Sequence, residues 1–206
     1  MEETSIIVIG NGSSILKYKI GEIIDSFEEV VRFNDYKIEG FKKYIGSKTT
    51  MWARSNSNKT KERKWKKYKQ VLVCSPEWNY QNTKKIIKGK ENGVLIPRED
   101  TLALQKLMGL PGRVSGKPGK TTRGWPSSGL ICLDYLIKQY KVVYVHGFDY
   151  FKKIEGYPRH YYNNKEKMNT TYVHKRDIEK KWIKDRIEEG KLRKIIDYLD
   201  KLKKNK

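Results

Sequence analysis

The sequence predicts an α/β fold: a single Rossmann-like sheet, mostly parallel, flanked by helices. Three observations carry this. Short apolar runs rich in β-branched residues recur along the chain. Stretches of helical periodicity separate them. A glycine-rich turn, Gly10-Asn11-Gly12-Ser13-Ser14, directly follows the first run. With 206 residues, one domain over 1–206 is expected.

Ser5–Ile9 reads as a buried strand and Ile15 to about Asp25 as a helix. Glu29–Asn34, Thr49–Ala53, Gln70–Ser75 and the short Val94–Ile96 follow as strands, Gln70–Ser75 being a stronger reading than Thr49–Ala53. Glu99–Met108 places apolar residues at 102, 103, 104, 107 and 108, which suits a helix. Residues 109–124, rich in glycine, proline and basic side chains, read as a long loop that could close over a ligand. Ser127–Gln139 reads as a helix with Ser127 and Ser128 as caps, and Val142–His146 as a further strand. The tail, 175–206, reads as basic amphipathic helices. Ile178, Trp182, Ile183 and Ile187 share one face, and Leu192, Ile195, Ile196, Leu199 and Leu202 another.

Composition narrows the function. Apolar residues make up 37% and aromatic residues 12%, enough for large rings to build a core, which argues against disorder. No apolar run approaches the ~18–20 residues of a membrane span, and the start Met-Glu-Glu-Thr-Ser does not resemble a secretory signal. Cys74 and Cys132 lie in apolar contexts; two buried free thiols in a reducing cytosol are the simple reading, and a disulfide stays open. The formal net charge of +21 suits nucleic acid, an anionic membrane leaflet, an anionic substrate, or plain solubility.

A glycine-rich turn between a first strand and a helix favours an anion through its backbone N–H groups and the helix dipole. Gly10-Asn11-Gly12 fits the first half of a dinucleotide fingerprint, although Ile15 replaces the third glycine. Asp35 would be the ribose-binding acid, so a nicotinamide enzyme is the runner-up. A purely structural turn is the plainer alternative.

Residues 8–54 are more specific. They contain Gly10-Asn11, Gly21-Glu22-Ile23-Ile24-Asp25-Ser26, Val31-Arg32-Phe33-Asn34 and Gly46-Ser47-Lys48-Thr49-Thr50. In order and spacing this resembles the large sialyl motif of the eukaryotic-type sialyltransferases, glycosyltransferase family 29. Trp125-Pro126-Ser127-Ser128-Gly129-Leu130 followed by Val142–Phe148 is similar to the family's small motif. His160-Tyr161-Tyr162-Asn163 resembles its third motif, and His174 with Glu179 its very small motif.

The resemblance implies a GT-A-like sheet and inverting transfer of a 2-keto acid sugar, sialic acid or Kdo, from a CMP-sugar to a glycan hydroxyl. By motif position His174 would be the general base, and His160 would donate a hydrogen bond to the departing phosphate. Gly10, Asn11, Gly12, Ser13, Asn34, Ser127, Ser128, Gly129 and Tyr161 would contact substrate. His146 reads as structural. Glu179 would steady the helix or loop holding His174, or be surface charge. No Asp-x-Asp and no zinc spacing occur, so a metal-independent enzyme without cofactor is expected. The luminal members' disulfide, anchor and stem are missing, which points to a cytoplasmic protein.

A nucleic-acid binder is the alternative of another class. Residues 59–69, KTKERKWKKYK, interleave seven basic side chains with a Trp and a Tyr. No nucleic-acid motif accompanies them, so nucleic acid is the less favoured partner. The expected partners are a CMP-sugar, a glycan or glycolipid acceptor, and an anionic membrane touched by the basic tail.

Overall fold

The computed structural model describes residues 4–57, 60–76, 79–113, 123–150, 156, 158, 160–162 and 175–204. The strands are β1 (Ile6–Ile9), β2 (Glu29–Phe33), β3 (Met51–Ser55), β4 (Gln70–Cys74), β5 (Gly93–Leu95), β6 (Gly112–Arg113), β7 (Arg123–Gly124), β8 (Val143–His146) and β9 (Leu192–Lys194). The helices are α1 (Gly21–Asp25), α2 (Lys42–Ile45), α3 (Tyr80–Ile87), α4 (Arg98–Leu107), α5 (Ser128–Leu136), α6 (Arg176–Glu188) and α7 (Ile195–Lys204). Seven strands form one sheet in the order β5-β4-β3-β2-β1-β8-β9, and every pairing in it is parallel. The single α/β sheet predicted from the sequence is therefore the fold. β6 and β7 form a separate two-residue antiparallel ladder within the expected 109–124 loop, whose residues 114–122 lie outside the described ones.

A strand buried on both faces needs apolar side chains at every position, which explains the unbroken Ile-Ile-Val-Ile of β1. Ile6 and Val8 point to one face, where Leu104, Leu130, Leu133, Trp182 and Ile183 from α4, α5 and α6 cover them. Ile7 and Ile9 point to the other face, against Ile24, Ile45, Tyr161 and Ile195. Towards the β5 edge a cluster of rings takes over: Trp52 and Trp65 meet edge to face at 6.2 Å, and Tyr36 and Tyr68 join through their hydroxyls at 3.0 Å.

The large-motif segment folds into a knot beneath β2. Arg32 is 1% exposed and donates to the main-chain oxygens of Ile45 and Lys48 and to Thr49 Oγ1. Asp25 accepts from the N–H groups of Ser47 and Lys48 and from the Ser47 hydroxyl. Burial pushes the Asp25 carboxyl up, but these hydrogen bonds and the Arg32 charge outweigh it and hold it below its ordinary value. Two glycines make the knot possible. A Cβ on Gly21 would lie 2.0 Å from the Lys42 carbonyl oxygen, and one on Gly46 2.2 Å from Asp25 Oδ1.

Several expectations need correction. The helix expected from Ile15 to Asp25 is two pieces, a 3₁₀ turn at Ser13–Lys17 and then α1. Leu192 lies in β9, not on a helix face with Ile195: Gly190 (φ 74) reverses the chain after α6, and Val143 N–H captures the Lys191 carbonyl at 3.0 Å. Helix α3 was not anticipated. In the tail, Trp182 and Ile183 of α6 and Ile195, Tyr198 and Leu199 of α7 face the sheet, while Lys180, Lys181 and Lys184 of α6 are exposed. No helix among the described residues is long and apolar enough to cross a membrane. Cys74 and Cys132 are buried free thiols in one cluster; burial, and the Cys74 thiol beside it, push the Cys132 thiol well above its ordinary value.

Gly21→Ala forces α1 and α2 apart at a backbone contact that no rotamer can relieve. It is expected to lower stability by about 1–3 kcal/mol, read as a lower urea midpoint at unchanged slope.

Candidate functional site

The chain runs outward from β1 through β2 to β5 and then crosses back to β8 on the other side of β1, so the connections reverse direction at β1. In an open parallel sheet such a switch point opens a crevice at the carboxyl ends of the strands. The cleft is there. Its lining comes from Gly10–Gly12 after β1, Phe33 and Asn34 at the end of β2, Ser127–Leu130 at the start of α5, Gly147–Tyr150 after β8, and His160, Glu179 and Ile183.

Three N–H groups of the Gly10–Ser14 turn are engaged within the fold, not turned to the cleft. Gly10 N–H donates to the His146 carbonyl at 2.7 Å, Gly12 N–H to the Gly147 carbonyl at 2.9 Å, and Ser14 N–H to Asp149 Oδ2 at 2.8 Å. The turn also leads into a five-residue 3₁₀ turn, not a helix with a dipole. Its glycines answer to crowding instead. A Cβ on Gly10 would sit 2.3 Å from the Gly147 carbonyl oxygen, and one on Gly12 2.4 Å from Asp149 Cγ. Asp35 accepts the Lys61 N–H and does not line the cleft, so it does not stand where the nicotinamide reading needs a ribose-binding acid.

Asn11 and Asn34 both reach the cleft. Asn11 Nδ2 donates weakly to the Phe33 carbonyl at 3.4 Å. Asn34 Oδ1 accepts the Ser55 N–H at 2.8 Å, which turns its amide N–H groups into the remaining donors. Asn34 (φ 47) and Tyr150 (φ 51) are the non-glycine residues with left-handed backbone among the described residues, and both line the cleft. Such strain gathers where a surrounding structure enforces it, often at functional sites.

Ser127 caps α5, its hydroxyl accepting the Leu130 N–H at 3.4 Å. Its own N–H and hydroxyl donate to the two carboxylate oxygens of Glu179, at 3.0 and 2.9 Å. Glu179 is 2% exposed, so it is neither surface charge nor solely a brace for residue 174; it ties α6 to the start of α5 across the cleft. Burial drives its pKa up to about 7, against the downward pull of the two Ser127 hydrogen bonds.

His160 lines the cleft, joined to Gly12 by an antiparallel bridge, with its ring tilted against Tyr162 at 5.7 Å. Tyr161 stands off the cleft. It is 3% exposed, its N–H donates to the Asn11 carbonyl, and its hydroxyl donates to the Lys37 carbonyl at 2.7 Å and accepts the Lys37 N–H. Burial pushes that hydroxyl to about 12, so it stays protonated. Ser13 is fully buried and also off the cleft. His146 is buried at the end of β8, where desolvation lowers its pKa to about 4 and keeps the ring neutral. His174 lies outside the described residues.

The sequence reasoning missed Asp149 and Phe148. Asp149 holds Ser14, and Phe148 meets Phe33 edge to face at 6.0 Å to floor the cleft. Phe148 closes the small-motif stretch but was not singled out as a site residue, and Asp149 was signalled only by its position two residues after the strand-ending Gly147. Among the described residues, no group of three His, Cys, Asp or Glu side chains is set to hold a metal ion.

The description of glycosyltransferase family 29 (sialyltransferase) matches residues 4–191. A human CMP-N-acetylneuraminate-beta-1,4-galactoside alpha-2,3-sialyltransferase is 26% identical over 210 residues, covering 88% of this chain and 55% of its own. The chain thus spans about half the length of such relatives. A beta-1,6-galactosyltransferase of Arabidopsis thaliana is 43% identical over 47 residues, 23% of this chain and 12% of its own. A solved mammalian sialyltransferase in complex with Gal-beta-1-3GalNAc-ortho-nitrophenol superposes with a TM-score of 0.65 at 17% identity, over 92% of this chain and 68% of that one.

Glu179 generates a pH test. Its carboxyl keeps a proton up to about pH 7 in the folded chain but only to about 4.5 when unfolded. The folded state therefore binds more protons in that window, so the stability this group contributes is full below pH 4.5 and lost as pH rises through 7. Glu179→Gln, uncharged throughout, should remove a decline on the order of 3 kcal/mol. The difference between the two chains' urea midpoints, followed against pH, measures it.

Proposed function

The chain belongs to glycosyltransferase family 29, the sialyltransferases, and from that premise we propose that it is an inverting transferase moving a 2-keto acid sugar, sialic acid before Kdo, from its CMP conjugate to a glycan hydroxyl. The observation that carries the reading is convergence. One cleft gathers Asn11 and Asn34 of the large motif, Ser127–Gly129 of the small motif, His160 of the third and Glu179 of the very small motif. Segments spread over most of the chain meet at a single crevice, at the sheet's switch point, where open α/β folds bind nucleotides.

The chemistry asks three things of such a crevice. The nucleotide must be held: the amide N–H groups of Asn34 and the half-buried start of α5 at Ser128 and Gly129, which lines the cleft, offer donors to ribose and phosphate. The departing phosphate must be stabilised as the bond from the anomeric carbon to its oxygen breaks, and His160 on the cleft wall is the donor for it. The acceptor hydroxyl must lose its proton as its oxygen bonds to that carbon from the opposite face, which inverts the centre. His174, just before α6, is the base by its motif position. Glu179 is a positioning residue, fixing Ser127 and hence the start of α5. The net charge of +21 suits an anionic donor.

CMP release from CMP-sialic acid and from CMP-Kdo, in separate reactions, tests the activity and the donor. His174→Ala should abolish transfer, and His160→Ala should reduce it about a hundred- to a thousandfold; transfer that survives His174→Ala removes the base assignment. A CMP donor carries one phosphate, so its leaving group needs less neutralisation than a diphosphate. Transfer is therefore expected to persist in excess chelator, and activity lost to the chelator and restored by a divalent ion would overturn that.

A further inference from the structure

The lysine-rich segment at 59–69 takes no part in the cleft, and the fold joins it to a second basic stretch. Lys64, Lys66 and Lys67 stand exposed at the 3₁₀ turn before β4, and Lys84, Lys85, Lys88 and Lys90 stand exposed on α3 and the turn after it. Asn92 holds the two together, its side-chain amide donating to the carbonyls of Trp65 and Tyr68 at 2.8 Å each, and Lys90 Nζ lies 5.6 Å from the Trp65 ring.

None of these seven lysines has an ion pair among the described residues, where the salt bridges all lie elsewhere. Two acids are close in sequence: Glu62, which is engaged by Arg54 and the Trp65 indole, and Glu91, which is exposed. Three cations of α6 are arranged differently, Lys181 pairing with Asp185, Lys184 with Glu188 and Arg186 with Glu189. A shallow groove between α3 and the edge strand β5 crosses the basic patch, with Tyr80, Ile87 and Leu95 as its apolar lining among Lys84, Lys85 and Lys88.

We infer that this lysine edge is a docking surface for the anionic headgroups of a lipid bilayer. Lysines that surround an apolar groove can send their ammonium groups to phosphates while their stems and the groove meet the interfacial layer. Nucleic acid fits less well. Base stacking needs open ring faces, and Trp65 and Tyr68 are only 5% and 9% exposed, packed on Trp52 from below. The placement is also productive. Lys66, Lys67, Lys88 and Lys90 precede β4 and β5 and so lie at the amino ends of the parallel strands, whereas the cleft opens at the carboxyl ends. A molecule resting on these lysines keeps its cleft clear of the surface.

Co-sedimentation with phosphatidylcholine vesicles, with and without about a third phosphatidylserine, tests this. The chain should bind the mixed vesicles, bind neutral ones far less, and lose binding with added salt. Reversing Lys66, Lys67, Lys85 and Lys88 to Glu should weaken binding at least about a hundredfold. A control with the same net charge, reversing Lys42, Lys43, Lys180 and Lys184, should retain most of it. Matching thermal transitions show that both variants fold. Equal losses in the two variants would mean bulk charge rather than this edge, and overturn the inference. So would a single-stranded oligonucleotide that binds the patch more tightly than the mixed vesicles do.

Discussion

The contact on which the rest depends is the approach of two strand ends, β1 and β8, closer than side chains permit. Gly10 and Gly147 leave no room for a Cβ between them, since a Cβ on Gly147 would in turn meet Ile15 Cγ2 at 2.5 Å. The ladder between the strands therefore continues past their ends, through Gly10 to His146 and Gly12 to Gly147. That continuation swings Phe148, Asp149 and Tyr150 over the sheet and turns Asn11 outward. The cleft is the space that the two diverging backbones then enclose.

A second constraint lies beneath the sheet and does no chemistry. Arg32 is a buried cation whose guanidinium is met by carbonyls and a hydroxyl, without a carboxylate in its hydrogen bonds. Hydrogen bonds from Nε and Nη2 offset much of the cost of burying this charge and fix the loop from Ile45 to Thr49, while Nη1 has no partner among the described residues. Asp25 ties the same loop from the other side. The motif that reads as one unit in the sequence therefore has two physical parts. Gly10, Asn11 and Asn34 belong to the cleft, whereas Gly21, Asp25, Arg32, Gly46 and Lys48 hold the frame that places β2 beside β1.

What the sequence revealed follows from where the information resides. β1 was legible because a strand buried on both faces is apolar at every position, and β2, β4 and β8 because their Val- and Leu-rich centres keep much of that pattern beside Arg32, Gln70 and His146. β9 was not: Leu-Arg-Lys has one buried residue, and it becomes a strand only because β8 offers it an edge. The split of the first helix was hidden because Leu16, Ile20 and Ile24, all in one core cluster, are spaced four apart and mimic one helical face. In the site, residue types were readable but their tasks were less so. Asn34 and His160 are in the cleft, while Tyr161 bears on the Lys37 backbone instead. Gly10 and Gly12 looked like anion binders because a sequence shows glycine without showing what crowds it. Glu179 was the hardest, since its partner Ser127 stands 52 residues away.

Distance along the chain has a consequence for how this molecule comes into being. The bond from Ser14 to Asp149 spans 135 residues, and β1 finds β8 across a similar stretch. During synthesis β1 has β2 to pair with early, but its other edge waits until residues 143–146 have been made. Closing so long a loop is entropically slow, and parallel pairing of this kind lies at the slow end of folding. A nascent chain therefore builds the β1–β5 half of the sheet first. The crevice, together with any chemistry it performs, arrives as the final act of folding and not as a property of either half.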